Sequence, residues 1–387
     1  MSFYGPIAIV DVSPENARPF SQNIANLLGV RCHPISLNKF GDGETNILID
    51  KSVRGEDVYI FQSYQPPIGE RMYELELAVS AAKSGGVARR ITAVLPYCFG
   101  MRGERQTKPR QSLPIDVVIK NLSRMKVQSA ITVGLHEDSI STMFGLLDIK
   151  LEHLMFEPLA AAYMIDTARR AGYSEFIIAS PDIGGMKRAG RVRDHVALNS
   201  NLRTRLVAGD KYRTGLDQVE IAAFTAPLHG QPIIFYDDIG GTLGTIDDAV
   251  KLAKKEGAKE AYVVLIHPVL ADGFQPKLEK LCGDSFVREI LFSNTIPLKG
   301  LASIDPKIKT LPLEPLVAAT IRNMNRDESM SNMHKYEAIC ELYKPFGLFS
   351  QPSYVLIGAP MSASQVSAEG GNGAKLVSVP QTVARSS

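Results

Sequence analysis

The strongest constraint on how this chain folds is a pair of patterns that keeps recurring. Short apolar runs with little polar alternation occupy 7–10, 57–61, 91–96, 129–134, 175–180, 233–236 and 261–266. Between them lie segments with helical spacing of their apolar residues, at 16–29, 72–86, 115–125, 157–172 and 245–257. A run that is apolar at consecutive positions must be covered on both faces, which is the condition of a strand inside a parallel sheet. Strands of that kind alternating with helices predict an α/β chain, each sheet mostly parallel and flanked by helices. The pattern occurs twice and predicts two domains, 1–155 and 156–305. The segment 306–333 supplies a closing helix over 313–324. A C-terminal extension, 334–387, turns rich in Ser, Gly, Ala and Pro beyond about residue 345 and is expected to be largely flexible.

In such folds ligands collect at the carboxyl ends of the strands. The sequence IIFYDDIGGTLGT (233–245) is the most informative of these ends. An apolar run leads straight into Asp237 and Asp238. A turn of Gly240, Gly241, Thr242, Gly244 and Thr245 follows, and then a helix begins. Backbone N–H groups at a glycine turn and a helix N-terminus cradle phosphate. Two adjacent acids would repel a bare phosphate but suit sugar hydroxyls or a magnesium-bound phosphate. Other polar clusters stand at other strand ends. Arg102, Glu104 and Arg105 follow the 91–96 run, and His136 follows 129–134. Asp182, two glycines, Lys187, Arg188 and Arg191 follow 175–180, and Lys211 and Arg213 lie in a polar stretch further on. Each cluster alone is compatible with a solvated loop. Their common placement describes a cleft for polyphosphate, magnesium and a sugar phosphate.

Composition removes other classes of function. The 387 residues are 45% hydrophobic, enough for two cores. The 43 basic and 41 acidic residues nearly balance, which gives no argument for nucleic acid or an anionic membrane. No apolar run is long enough for a membrane span, and the N-terminus lacks the pattern of a signal peptide. Cys32, Cys98, Cys282 and Cys340 are scattered, which predicts reduced thiols and a cytoplasmic location.

The order of these motifs resembles the ribose-phosphate pyrophosphokinases, the phosphoribosyl pyrophosphate (PRPP) synthetases, over about residues 3–333. The resemblance is carried by NKFGDGETNI (38–47), ITAVLPYCFGMRGERQ, VGLHEDSISTMFG, SPDIGGMKRAGRV, IIFYDDIGGTLGT, HPVL (267–270) and DESMSN (327–332). It implies two similar phosphoribosyltransferase-like domains. It also implies transfer of the β,γ-diphosphoryl group of ATP to the C1 hydroxyl of ribose 5-phosphate, with magnesium, in a homo-oligomer, a hexamer built from dimers. By the resemblance Phe40 stacks on adenine, and Asp42 and Glu44 contact the base or a neighbouring subunit's loop. Arg102 and His136 hold ATP phosphates with Glu104 beside them, and Asp182 and His136 lie near magnesium. Lys211 and Arg213 stabilise charge on the transferring group. Asp237 and Asp238 hold the ribose hydroxyls, and Gly240, Gly241, Thr242, Gly244 and Thr245 hold the 5-phosphate.

The chain departs from the family pattern at Gly103–Glu104, where Gln–Asp is usual, at Gly134 and Gly241, often acidic, and at Tyr212. Two alternatives follow. Small residues at 103 and 241 leave space for a larger acceptor such as ADP-ribose, and a non-catalytic associated subunit would share the motifs. Retention of Lys211, Arg213, Asp182, His136 and the acid pair argues against the second.

Overall fold

The computed structural model describes residues 4–213, 219–298, 300 and 305–349, without the side chains of 211–222. The apolar runs become two sheets. The first has the order β2-β1-β5-β6-β7-β8, from β1 (Ile7–Asp11), β2 (Cys32–His33), β5 (Asp57–Phe61), β6 (Arg90–Val94), β7 (Ser129–Val133) and β8 (Lys150–Leu154). All its pairings are parallel. An antiparallel hairpin, β3 (Ile35–Lys39) and β4 (Thr45–Ile49), stands apart from it. The second sheet has the order β11-β10-β9-β12-β13-β14-β15. Its strands are β9 (Glu175–Ser180), β10 (Arg203–Arg213), β11 (Val219–Phe224), β12 (Ile233–Ile239), β13 (Ala261–His267), β14 (Val287–Ser293) and β15 (Ile308–Leu311). Only the β10–β11 pair at its edge is antiparallel.

The helices are α1 (Arg18–Leu28), α2 (Ile68–Ser80), α3 (Pro114–Arg124), α4 (Ser139–Gly145), α5 (Glu157–Ala171), α6 (Met186–Asn199), α7 (Gly244–Lys255), α8 (Gln275–Gly283), α9 (Glu314–Arg326) and α10 (Tyr336–Tyr343). Local sequence explains several of them. In α3, Pro114 sits at the first turn, where its missing N–H costs nothing, and Ile115, Val118, Ile119 and Leu122 form one buried stripe. Helix α5 is buried from Glu157 to Ala168, so no solvent face marks it.

That burial has a structural cause, because α5 and α9 are shared by both domains. One continuous core takes Ile9, Tyr59 and Val94 from the first sheet, Ile178, Tyr236 and Val264 from the second, and Leu159, Leu316 and Ile321 from the two helices. Helix α9, from the C-terminal part of the chain, docks beneath the first sheet. Buried Asp57 pairs with Arg90 through two bonds of 2.7 and 2.6 Å and accepts a third from Asn325 at 2.9 Å. Arg90 also reaches the Met324 carbonyl. The extension expected to be largely flexible from 334 begins with packed structure. Ile339, Tyr343 and Leu348 are buried, and the Tyr343 hydroxyl donates to the Pro312 carbonyl at 2.7 Å. Residues 350–387 lie outside the described residues.

A second joint lies behind the strand ends. His267, fully buried at the end of β13, approaches the Gly134 carbonyl through Nε2 (2.9 Å) and the Thr295 hydroxyl through Nδ1 (3.0 Å). A carbonyl only accepts, so Nε2 carries the proton and Nδ1 accepts from Thr295. Gly134 has φ +51°, and a Cβ there would stand 3.0 Å from the Ile266 side chain. The small residue at 134 therefore suits both the left-handed backbone and the close packing between the domains. Burial pushes the His267 pKa down to about 4. The unfolded chain takes up this proton near pH 6.5 and the native one does not until about pH 4. Stability is thus expected to fall as pH drops through that window, by on the order of 3 kcal/mol. Denaturant titrations at pH 7, 6 and 5 check this: His267→Gln flattens the slope by up to one proton, and an unchanged slope contradicts it.

Candidate active site

The carboxyl ends of β7, β9 and β12 and the loop after β6 open into one cleft of about 410 Å³, a size suited to small ligands. Arg102, Arg105, His136 and Glu137 line it from the first domain. Asp182, Gly184, Arg188, Asp237, Asp238 and the turn Ile239–Ile246 line it from the second. Of the residues predicted from sequence, Arg102, His136, Asp182, Asp237, Asp238, Gly240, Gly241, Thr242, Gly244 and Thr245 meet here.

Asp238 organises the cleft. It is 3% exposed and cannot be left ionised without partners. His136 Nδ1 lies 2.6 Å from its Oδ2, and Arg188 Nη2 donates to its Oδ1 at 2.9 Å. Arg188 Nη1 also donates to the His136 carbonyl at 2.9 Å, so one guanidinium ties β12 to the loop after β7. Burial opposes ionisation of Asp238, but His136 and Arg188 outweigh it and hold its pKa at about 2. The same hydrogen bond raises the His136 pKa. Asp237, 3.7 Å from Arg188, has weaker compensation. Burial first, and then the charge of Asp238, push its pKa up. The pair has divided the work expected of both. Asp238 is committed to protein cations, and Asp237 keeps a fifth of its side-chain surface exposed.

Asp182, two residues past the end of β9, caps the turn that leads into α6, accepting the Gly185 N–H at 3.1 Å. Beside it Lys187 and Arg191 both reach Asp138, at 2.7 and 3.1 Å, and Arg191 also bonds Glu157. The Gly240–Thr245 turn contains Leu243, whose φ of +60° is unusual for a branched residue and reorients the chain at the start of α7.

Several predicted residues stand elsewhere. Phe40, 55% exposed, lies at the tip of the β3–β4 hairpin with Asp42 and Glu44, where Asp42 accepts the Glu44 N–H. None of the three lines the cleft. Glu104 pairs with Arg105 at 3.3 Å and does not line the cleft either. Lys211 and Arg213 have their backbone in β10, and their side chains lie outside the described residues. His136 fits poorly as a magnesium ligand, since Nδ1 is engaged and the raised pKa favours the imidazolium. Space at Gly103 is also absent: a Cβ there would stand 2.5 Å from the Pro114 ring. At Gly241 a Cβ would meet nothing within 4 Å. Arg188, absent from the roles drawn by resemblance, is the central cation of the site. Its signal was the position two residues into a helix that starts after an acid and a Gly–Gly turn.

Comparison with known proteins decides the family. Residues 9–125 match the model of the N-terminal domain of ribose phosphate pyrophosphokinase, and 223–335 match the phosphoribosyl synthetase-associated domain. The ribose-phosphate pyrophosphokinase of Helicobacter hepaticus is 31% identical over 81% of this chain and 95% of its own length. The chain belongs to the ribose-phosphate pyrophosphokinase family. The Wolinella succinogenes member is 33% identical, over 81% of this chain and 95% of that protein. A phosphoribosylpyrophosphate synthetase structure from Mycobacterium smegmatis superimposes with a TM-score of 0.71 at 25% identity, covering 82% of this chain and 98% of that one. Membership accounts for both phosphoribosyltransferase-like sheets.

Removing Arg188 tests the organisation of the cleft. In Arg188→Met the imidazolium of His136 loses a repelling charge, so its pKa rises further, as read by NMR titration of the ring protons. The same change leaves Asp238 half-paired and costs about 3 kcal/mol of stability. A His136 pKa that stays put or falls contradicts the assignment.

Proposed function

We propose that this chain transfers the β,γ-diphosphoryl group of ATP to the C1 hydroxyl of ribose 5-phosphate, releasing AMP. One observation supports this above all: a glycine-rich turn at a helix start, the partly exposed Asp237 and two arginines from opposite domains share one cleft. Asp237 holds ribose hydroxyls, and Gly241–Thr245 present backbone N–H groups to the 5-phosphate, the Gly240 N–H being donated to the His267 carbonyl. On the opposite wall Arg102, Arg105 and the Nε2 of His136 hold the ATP phosphates. The resemblance assigns Lys211 and Arg213 to neutralise charge on the transferring group. Such transfer needs alignment and charge neutralisation more than a protein nucleophile.

Magnesium fits this donor set. Asp182 and Asp237 offer hard carboxylate oxygens on the same cleft. Among the described residues no three acidic, His or Cys side chains converge as a metal cage, so ATP phosphates and water complete the ion's shell. When bound, the ion neutralises charge along the polyphosphate. The exposed hairpin bearing Phe40, Asp42 and Glu44 supplies the adenine contact to a neighbouring subunit, in a homo-oligomer. No helix among the described residues is long and apolar enough to cross a membrane, in keeping with a cytoplasmic enzyme.

Incubation with magnesium, ATP and ribose 5-phosphate, followed by phosphorus NMR, is expected to show AMP and a C1 diphosphate. EDTA stops the reaction. No AMP with ribose 5-phosphate sinks the proposal, and AMP with ADP-ribose alone shifts it to a larger acceptor, for which only Gly241 leaves room. Asp237→Asn is expected to lower kcat/KM for ribose 5-phosphate by about a hundredfold, roughly 3 kcal/mol, with little change in Tm. Subunit exchange checks the hairpin. Phe40→Ala and Asp237→Asn, mixed after dissociation, recover activity that neither has alone if the hairpin serves a neighbour.

A further inference from the structure

Helix α8 follows the strand next to the phosphate turn, and its first turn carries Lys277 toward that turn. The Lys277 Nζ lies 2.7 Å from the point where a Cβ on Gly244 would stand, and its Cε lies 3.8 Å from that point. The ammonium therefore sits over the residue that begins α7, and Gly244 leaves it the space. Three neighbouring lysines, Lys251 and Lys254 of α7 and Lys280 of α8, are neutralised. Asp247 takes Lys251 at 2.6 Å and Lys280 at 3.3 Å, and Asp284 takes Lys254 at 2.8 Å. Lys277 forms no ion pair among the described residues, although it is half-buried. The turn itself, Gly240 to Thr245, contains no acid, and a side chain at Gly241 would face open cleft.

A half-buried ammonium without a carboxylate, held against a turn of backbone N–H groups, completes a site for a dianion. We propose that Lys277 is a positioning residue for the acceptor, binding the 5-phosphate of ribose 5-phosphate jointly with the Gly240–Thr245 turn. This rests on the reading of that turn as the 5-phosphate cradle. It assigns the cradle a second element, α8, and a mobile point charge that backbone N–H groups alone lack. The contact lies at the end of the sugar away from C1. It therefore contributes binding common to ground and transition states and acts on KM more than on kcat.

Steady-state kinetics on the full chain test this, with Lys277→Gln, Lys277→Arg and Thr245→Val compared. The expected result for Lys277→Gln is a KM for ribose 5-phosphate raised tenfold or more, with kcat and the KM for ATP within about twofold. Lys277→Arg restores most of the loss, and turnover of unphosphorylated ribose at high concentration is the same in the wild type and Lys277→Gln. If Thr245→Val raises the KM for ribose 5-phosphate while Lys277→Gln leaves it unchanged, the cradle stands and Lys277 has no part in it. If neither variant moves that KM, the reading of the turn falls as well. Equal losses toward ribose and ribose 5-phosphate, or a lowered Tm with both KM values altered, reduce Lys277 to a structural role and overturn the proposal.

Discussion

A carboxylate taken out of water has to find cations, and here that requirement joins two domains. Asp238 obtains its partners from two other elements, His136 after β7 and Arg188 in α6. Neither sheet alone can satisfy it. Pairing Asp238 leaves Asp237 as the carboxylate open to a ligand, fixes the proton on His136 and sets Arg188 between the two walls. The chemistry of the cleft is thus a by-product of an electrostatic debt inside the protein. Behind it, His267 and the carbonyl of Gly134 make a second joint without charge. One joint is ionic and faces the ligand, the other is neutral and dry. Together they hold the strand ends of both sheets at one opening.

The strands buried on both faces were legible, because uninterrupted apolar runs such as 261–266 have no other stable placement. Elements at the margins were not. Strand β8 reads KLEHL, half-exposed and mixed in polarity, and α6 carries Lys187, Arg188, Arg191 and Arg193 along its length. Helix α10 follows a polar stretch, and its buried residues, Ile339 and Tyr343, belong to a core whose other members come from distant elements such as α5 and α9. Within the site, the sequence showed which residues stand at strand ends. It did not show which acid of a pair would be consumed by neighbours, since Arg188 and His136 come from other elements.

The three unusual glycines illustrate the same limit. Read as lost polar groups they look equivalent. In three dimensions Gly103 is pressed by Pro114 and Gly134 by Ile266, so both answer to packing. Gly241 alone faces empty space in the cleft. Substitution of an acid by glycine in the Gly240–Thr245 turn also removes a negative charge, and the turn has Lys277 nearby. Local charge balance, more than cleft volume, distinguishes it.

The sharing of α5 and α9 bears on how the molecule is made. The first sheet is complete in sequence by residue 154, yet one of its faces is covered by a helix that ends at Arg326. During synthesis that face leaves the ribosome unprotected and waits for the entire second domain before its cover arrives. Asp57 and Arg90 wait with it for Asn325. The early half of the chain is therefore the part whose apolar surface stays uncovered longest, and a truncation near the C-terminus of α9 uncovers the domain that was translated first.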